Sequence, residues 1–196
     1  MFIKNFNQKN VTIVVEWWKM IKQKVYVLRL GHRVERDKRA TMHIFLTARA
    51  LSASGVIYSG QRDSDLEKRV QAVVDKWGGA FKVKYEKNWK RVIENWNKKG
   101  VTCHLTMYGI NVDDCLDKIS KNKEILVVVG SQKVPKDTFQ LADFNIAIGN
   151  QPHSEIAALA IFLDRLFQGK ELKREFKEAK IKVFPQEKGK KVDFQP

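Results

Sequence analysis

Cysteine is scarce in this chain. Its 196 residues include two, Cys103 and Cys115, twelve positions apart, with no C-x-x-C pair and no paired-histidine spacing around them. That argues against a zinc ribbon or a disulfide framework and fits a reducing compartment, the cytoplasm. No His, Cys and carboxylate cluster has metal-ligand spacing, so no metal is expected. Glycine-rich nucleotide signatures are missing too. No G-x-G-x-x-G follows the first strand-like run and no G-x-x-x-x-G-K-S/T occurs anywhere, which disfavours a dinucleotide dehydrogenase and a P-loop enzyme. Long hydrophobic runs are also lacking. The stretch from Val11 to Ile21 is broken by Glu16 and Lys19 and falls short of the roughly 20 apolar residues that a membrane span needs. No small-residue cleavage site follows it. Residues 1–23 are therefore set apart as an N-terminal extension: an extra strand, an amphipathic arm, or residues preceding a start at Met20.

Negative charge is in short supply. Lysine and arginine number 37 against 22 aspartates and glutamates, a formal charge of +15. Solubility needs less than that, so the leading partner is a polyanion, with nucleic acid ahead of an anionic membrane surface.

What is present is periodicity. Val25 to Leu30 reads as a strand, Asp37 to Ser52 as a helix, Gly55 to Tyr58 as a short strand, and Ser64 to Trp77 as an amphipathic helix stopped by Gly78-Gly79. Phe81 to Tyr85 alternates as a strand, and Asn88 to Lys98 is a short helix whose Trp89 and Trp96 read as core rather than as base-stacking groups. Further strands fall at Val101 to Met107, Ile125 to Val129 and Asn145 to Ile148. Helical segments fall at Val112 to Lys121, Pro135 to Ala142 and Ser154 to Phe167. This alternation predicts an α/β domain over residues 24–168, with a mostly parallel sheet and helices on both faces. Continuous apolar runs such as ILVVV and NIAI are what strands buried on both faces look like. Residues 169–196 read as a basic extension folded onto the domain, with short strand-like pieces at Ile181 to Phe184 and Val192 to Phe194.

Ligands of parallel α/β sheets bind outside the carboxyl ends of the strands. Three of these ends are loaded here: LTMYG after Val101, GSQKVP after Ile125 and GNQPHSE after Asn145. Glycine lets backbone N–H and C=O groups approach a ligand, and proline fixes the shape of a loop. Any one of the three is also an ordinary turn composition. Three converging loops suit a polar, mostly neutral ligand better than a triphosphate.

These loops, together with VLRLGHRVERDKRATMH (Val27 to His43), HLTMYG (His104 to Gly109), VVVGSQKVP (Val127 to Pro135) and FNIAIGNQPHSEIAALAIFLDRL, resemble the motifs of the archaeal tRNA (cytidine(56)-2′-O)-methyltransferase family of the SPOUT class. The resemblance runs from about Lys24 to Val192. Family chains begin just before the first strand, which favours the start at Met20. Ala40 and Met42 stand where the family often has two threonines. The resemblance implies a C-terminal deep trefoil knot whose loops clasp S-adenosylmethionine, largely through backbone groups. By position it assigns to the cofactor Leu105, then Gly130, Ser131, Gln132, Lys133 and Val134, then Ile148, Gly149, Asn150, Gln151, Pro152, His153, Ser154 and Glu155. It also implies a tRNA substrate and a homodimer packed through the helix from Ile156 to Leu166.

Methylating a ribose 2′-hydroxyl is an in-line displacement at a sulfonium carbon. The protein must position the hydroxyl, shed its proton and hold the RNA backbone. Ribose methyltransferases that this chain resembles use an arginine of the first helix. Aligned on its alanine-rich end, this helix has Leu46 at that place. Arg39 and His43 share a helical face with Leu46, and Arg49 lies three residues beyond it. Arg39 is the expected catalytic arginine, with Arg33 and His43 as second choices for phosphate and hydroxyl contacts. Arg29, Arg33 and Arg36 are expected on RNA phosphates. His32 and His104 receive no role. Two other functions stay open at this point: an RNA-binding or RNA-chaperone module without catalysis, and a SPOUT enzyme that methylates a base nitrogen.

Overall fold

The computed structural model describes residues 21, 23–130 and 134–195. The readings of residues 1–19 fall outside that range, as do Ser131, Gln132 and Lys133. Six strands, β1 (Lys24–His32), β2 (Gly55–Gly60), β3 (Lys82–Tyr85), β4 (Val101–Asn111), β5 (Glu124–Val129) and β6 (Phe144–Ala147), form one sheet in the order β3-β2-β1-β5-β4-β6. Every pairing in it is parallel. The helices are α1 (Val34–Ala50), α2 (Ser64–Trp77), α3 (Trp89–Asn97), α4 (Val112–Ser120), α5 (Asp137–Leu141) and α6 (Glu155–Phe167).

Both faces of the sheet are covered, which is why the apolar strands are unbroken. On one face Val25, Val27, Val56, Val127 and Ile146 pack against α1, α2, α4 and α6, with Phe45, Leu66, Ile119 and Phe162 among the partners. On the other, Leu28, Leu30, Ile57, Leu126 and Val128 meet Ile93 and Trp96 of α3, with Leu141 of α5 packed alongside.

Two boundaries differ from the sequence reading by three residues or more. Helix α1 begins at Val34, three residues ahead of Asp37. Its N-cap Arg33 makes no side-chain cap bond, but Gln61 accepts a hydrogen bond from the Val34 N–H at 2.8 Å. Glu35 and Asp37 then face the positive end of the helix. That cap comes from a distant loop, so no local signal marks it. Strand β4 continues past Met107 to Asn111. Ile146 of β6 is the partner of both Leu105 and Ile110, so Thr106, Met107, Tyr108 and Gly109 bulge out of the ladder between them. The LTMYG loop is thus an excursion inside a strand rather than its end.

Beyond α6 the chain makes a 3₁₀ turn at Lys170–Lys173 and an antiparallel hairpin of β7 (Ile181–Phe184) and β8 (Lys191–Phe194). Backbone bonds from Gly79 N–H to Lys177 O (2.8 Å) and from Lys180 N–H to Lys76 O (3.0 Å) fasten this arm to the end of α2. A Cβ on Gly78 would collide with the Lys177 carbonyl, so the Gly-Gly pair that stops α2 also lets the arm cross it.

Candidate active site

The excursion within β4 and the carboxyl ends of β5 and β6 converge on a cavity of about 710 Å³, a size typical of small-molecule sites. The β4 excursion supplies Thr106, Met107 and Tyr108, and Val129, Ile146 and Ala158 add apolar floor. Of the residues assigned to the cofactor, Leu105, Gly130, Val134, Ile148, Gln151, Pro152, His153 and Glu155 line this cavity. Gly149, Asn150 and Ser154 are not among the lining residues; they shape the loop. Gly149 turns the chain at φ +73°. The Asn150 amide donates to the carbonyls of Met107 (2.8 Å) and Gly109 (3.2 Å), tying the third loop to the first. Ser154 caps α6, its hydroxyl accepting from Ile156 N–H at 3.2 Å. In the second loop a Cβ on Gly130 would run into the Val134 side chain, so the close approach of these two residues needs glycine there.

His104 also lines the cavity, and no role was expected of it. It is fully buried on β4. The Asn145 amide nitrogen donates to Phe139 O at 2.8 Å, which leaves Asn145 Oδ1 to accept from His104 Nδ1–H at 2.9 Å. The Phe139 ring stands edge-on to the imidazole at 4.7 Å. Burial pushes the His104 pKa down, against the opposing pull of the Asn145 bond, which favours the neutral ring, and the Asn145 contact favours the Nδ1–H tautomer. His104 and Asn145 are cross-strand partners in the β4–β6 pairing, a register that neither stretch of sequence displays alone.

Arg29 is not on the surface. Only 1% of it is exposed, and its guanidinium lies 3.3 Å from the carboxylate of Glu155 on the cavity wall. It occupies the face of β1 that Val25 and Val27 share, the face covered by α1 and α6. The expectation of an open phosphate contact is corrected: the helices close this position. Burial lowers the Arg29 pKa, while Glu155 and Asp37 act in the opposite direction.

The other basic candidates lie apart from the cavity. Arg39 and His43 are exposed on the outer face of α1 and Arg36 is exposed beside them, and none lines the cavity. Arg33 holds Asp37 at 2.9 Å. Arg49, weighed for catalysis, is a structural clamp: buried, it donates to Gly78 O at 2.6 Å and stacks over Phe176 at 4.6 Å. His32, also unassigned, is buried with Nδ1 2.9 Å from Thr41 Oγ1 and Nε2 3.4 Å from Asp63, which caps α2. It fastens the end of β1 to α1 and to the start of α2.

The fold is that of the SpoU/TrmH class of RNA methyltransferases. The TrmH/SpoU tRNA modifying enzyme from A. aeolicus matches with a TM-score of 0.55 at 13% identity, covering 84% of each chain. The SpoU methyltransferase AviRb from Streptomyces viridochromogenes, solved in complex with AdoMet, matches with a TM-score of 0.57 at 11% identity, over 76% of this chain and 58% of that one. Sequence relatives narrow the class. Residues 77–193 match the family described as tRNA ribose 2′-O-methyltransferase, aTrm56. The tRNA (cytidine(56)-2′-O)-methyltransferase of Methanopyrus kandleri is 53% identical over 174 residues, 88% of this chain and 98% of that one. Its counterpart in Thermococcus kodakarensis is 48% identical over 176 residues, with the same coverage. The chain belongs to the aTrm56 family of tRNA ribose 2′-O-methyltransferases.

Proposed function

We propose that this protein methylates the ribose 2′-hydroxyl of cytidine 56 in tRNA, with S-adenosylmethionine as methyl donor. The observation that carries the reading is the cavity between the β4 excursion and the ends of β5 and β6, built from the family's three loops. Its residues fit the cofactor. Leu105, Val129, Ile146 and Ala158 give an apolar surface for a flat base, the loop backbones offer donors and acceptors, and Glu155 places a carboxylate on the wall. When bound, S-adenosylmethionine would supply an electrophilic methyl carbon on a sulfonium, so that bonding of the ribose oxygen to that carbon would break the C–S bond and leave the electron pair on sulfur.

The chain's own work is positioning, exclusion of water and proton release. Apolar walls keep water from competing for the methyl group. Arg36 and Arg39 on the outer face of α1 hold RNA phosphates. Arg39, with Arg33 and His43 in support, eases loss of the hydroxyl proton. These side chains stand outside their own protomer's cavity, so this role calls for a second copy. A homodimer through the exposed side of α6, at Ala157 and Ile161, sets α1 of one protomer beside the cavity of the other; α1 and α6 are already packed together. The same reading gives the second and third loops the threading of a trefoil knot and places the protein in the cytoplasm.

Calorimetric titration with S-adenosylhomocysteine tests the cofactor half of the proposal. One site per chain is expected. Absence of binding by a protein that still binds tRNA would replace the enzyme with a non-catalytic RNA-binding module.

A further inference from the structure

The C-terminal arm carries two features that the methyl-transfer cavity does not use. The first is charge: between Gly169 and Lys191 nine lysines and arginines stand against four glutamates. The second is apolar surface left open. In the β7–β8 register Ile181 faces Phe194 and Val183 faces Val192, so these four side chains share one side of the hairpin. Ile181 is buried, but Val183, Val192 and Phe194 are 54%, 42% and 72% exposed, and Leu172 of the 3₁₀ turn is 68% exposed. Next to them lies a cleft of about 940 Å³ lined by Trp77, Leu172, Ile181 and Val183, with Lys173, Lys180 and Lys182 also in its walls.

This surface is held rigidly. Phe176 is stacked by Arg49 at 4.6 Å and Arg174 at 5.3 Å, and Arg174 donates to Ser52 O at 3.2 Å. With the backbone bonds to Lys76 and Gly79, these contacts fix the arm at the ends of α1 and α2. Helix C-termini in this fold lie at the amino-terminal edge of the sheet, opposite the cavity. A ligand that engages both sites has to be long.

We infer that the arm is a second RNA-holding surface, on which unpaired bases of the tRNA substrate lie against the Leu172–Val183–Phe194 strip while Lys173, Lys180 and Lys182 take the adjoining phosphates. The inference rests on the tRNA reading above. Charge decides the occupant. A second copy of the chain would bring two strongly basic arms together, whereas RNA neutralises the lysines and offers flat apolar faces to the exposed side chains.

The test uses the full chain with two variants, Lys173→Gln/Lys180→Gln and Phe194→Ala, all at exposed positions. Kd for an unmodified tRNA transcript is measured across a salt series, alongside kcat, KM and S-adenosylhomocysteine binding. The lysine variant is expected to weaken tRNA binding about tenfold and to make the slope of log K against log salt shallower by about 1.5. Phe194→Ala is expected to weaken binding at least about fivefold with the salt slope unchanged. In both, KM rises while kcat and cofactor affinity hold. Unchanged tRNA affinity and slope in both variants would overturn the inference, whether or not the variants lose affinity for anionic vesicles or change oligomeric state. Failure of the parent protein to methylate any tRNA is a separate outcome, and it would overturn the functional reading on which the arm's role depends.

Discussion

Arg29 of β1 and Glu155 at the start of α6 meet at 3.3 Å, a buried guanidinium against a partly exposed carboxylate on the wall of the cavity. Glu155→Gln leaves the buried cation with only the weaker pull of Asp37 to balance it. Stability should fall by about 1–2 kcal/mol, below the full figure for a buried pair because water reaches Glu155. Arg29→Met removes the charge that needs compensation and should cost less. Urea unfolding of the two variants checks the order, and S-adenosylhomocysteine affinity should drop in Glu155→Gln.

The His104–Asn145–Phe139 chain predicts a tautomer. Nitrogen-15 NMR of the imidazoles should show His104 neutral with its proton on Nδ1 at pH 7.5, because burial holds its pKa below the ordinary value. Asn145→Leu orphans both the imidazole N–H and the Phe139 carbonyl. It should destabilise the fold by about 2 kcal/mol, read as a lower denaturation midpoint.

The close approach of Gly130 to Val134 predicts a rescue. Gly130→Ala drives a methyl group into Val134 and should raise the cofactor Kd at least about tenfold, since displaced loop groups lose their alignment. Trimming the obstacle in Gly130→Ala/Val134→Ala should recover much of the loss. Equal binding by the single variant and the parent would show that the loop accommodates the methyl group elsewhere.

Glu171 predicts a pH dependence. It is buried, and burial, with the neighbouring Asp164 carboxylate adding to it, pushes its pKa up to about 7 from 4.5. The folded state then binds a proton that the unfolded state releases between those values. The stability from this group is fully present below pH 4.5 and is lost as pH rises through about 7. Glu171→Gln should flatten that decline and be more stable than the parent at pH 8, measured by urea midpoints at pH 5, 7 and 8.

Much of the sheet was legible because buried strands and amphipathic helices carry their own periodicity. Ser64 to Trp77 was legible from its apolar stripe and from the Gly78-Gly79 pair that ends it, and the structure adds Asp63 as its cap. What escaped were features decided by partners far along the chain. The β4 excursion exists because β6 pairs Ile146 with Leu105 and again with Ile110. Arg29 looked like one member of a basic run, yet the helices over β1 and the carboxylate of Glu155 make it an interior cation. Arg49 shared a helix with the catalytic candidates but is claimed by Gly78 and Phe176. His104 opened a recognised motif, and only its cross-strand neighbour Asn145 shows how it is held.

The most direct test of the central claim is methyl transfer from labelled S-adenosylmethionine to two tRNA transcripts, one unmodified and one carrying 2′-deoxycytidine at position 56. The account predicts label on the first and none on the second. Equal labelling of both would contradict it and move the acceptor to a base nitrogen or another nucleotide. Label on neither, with cofactor binding also absent, would contradict the enzyme itself.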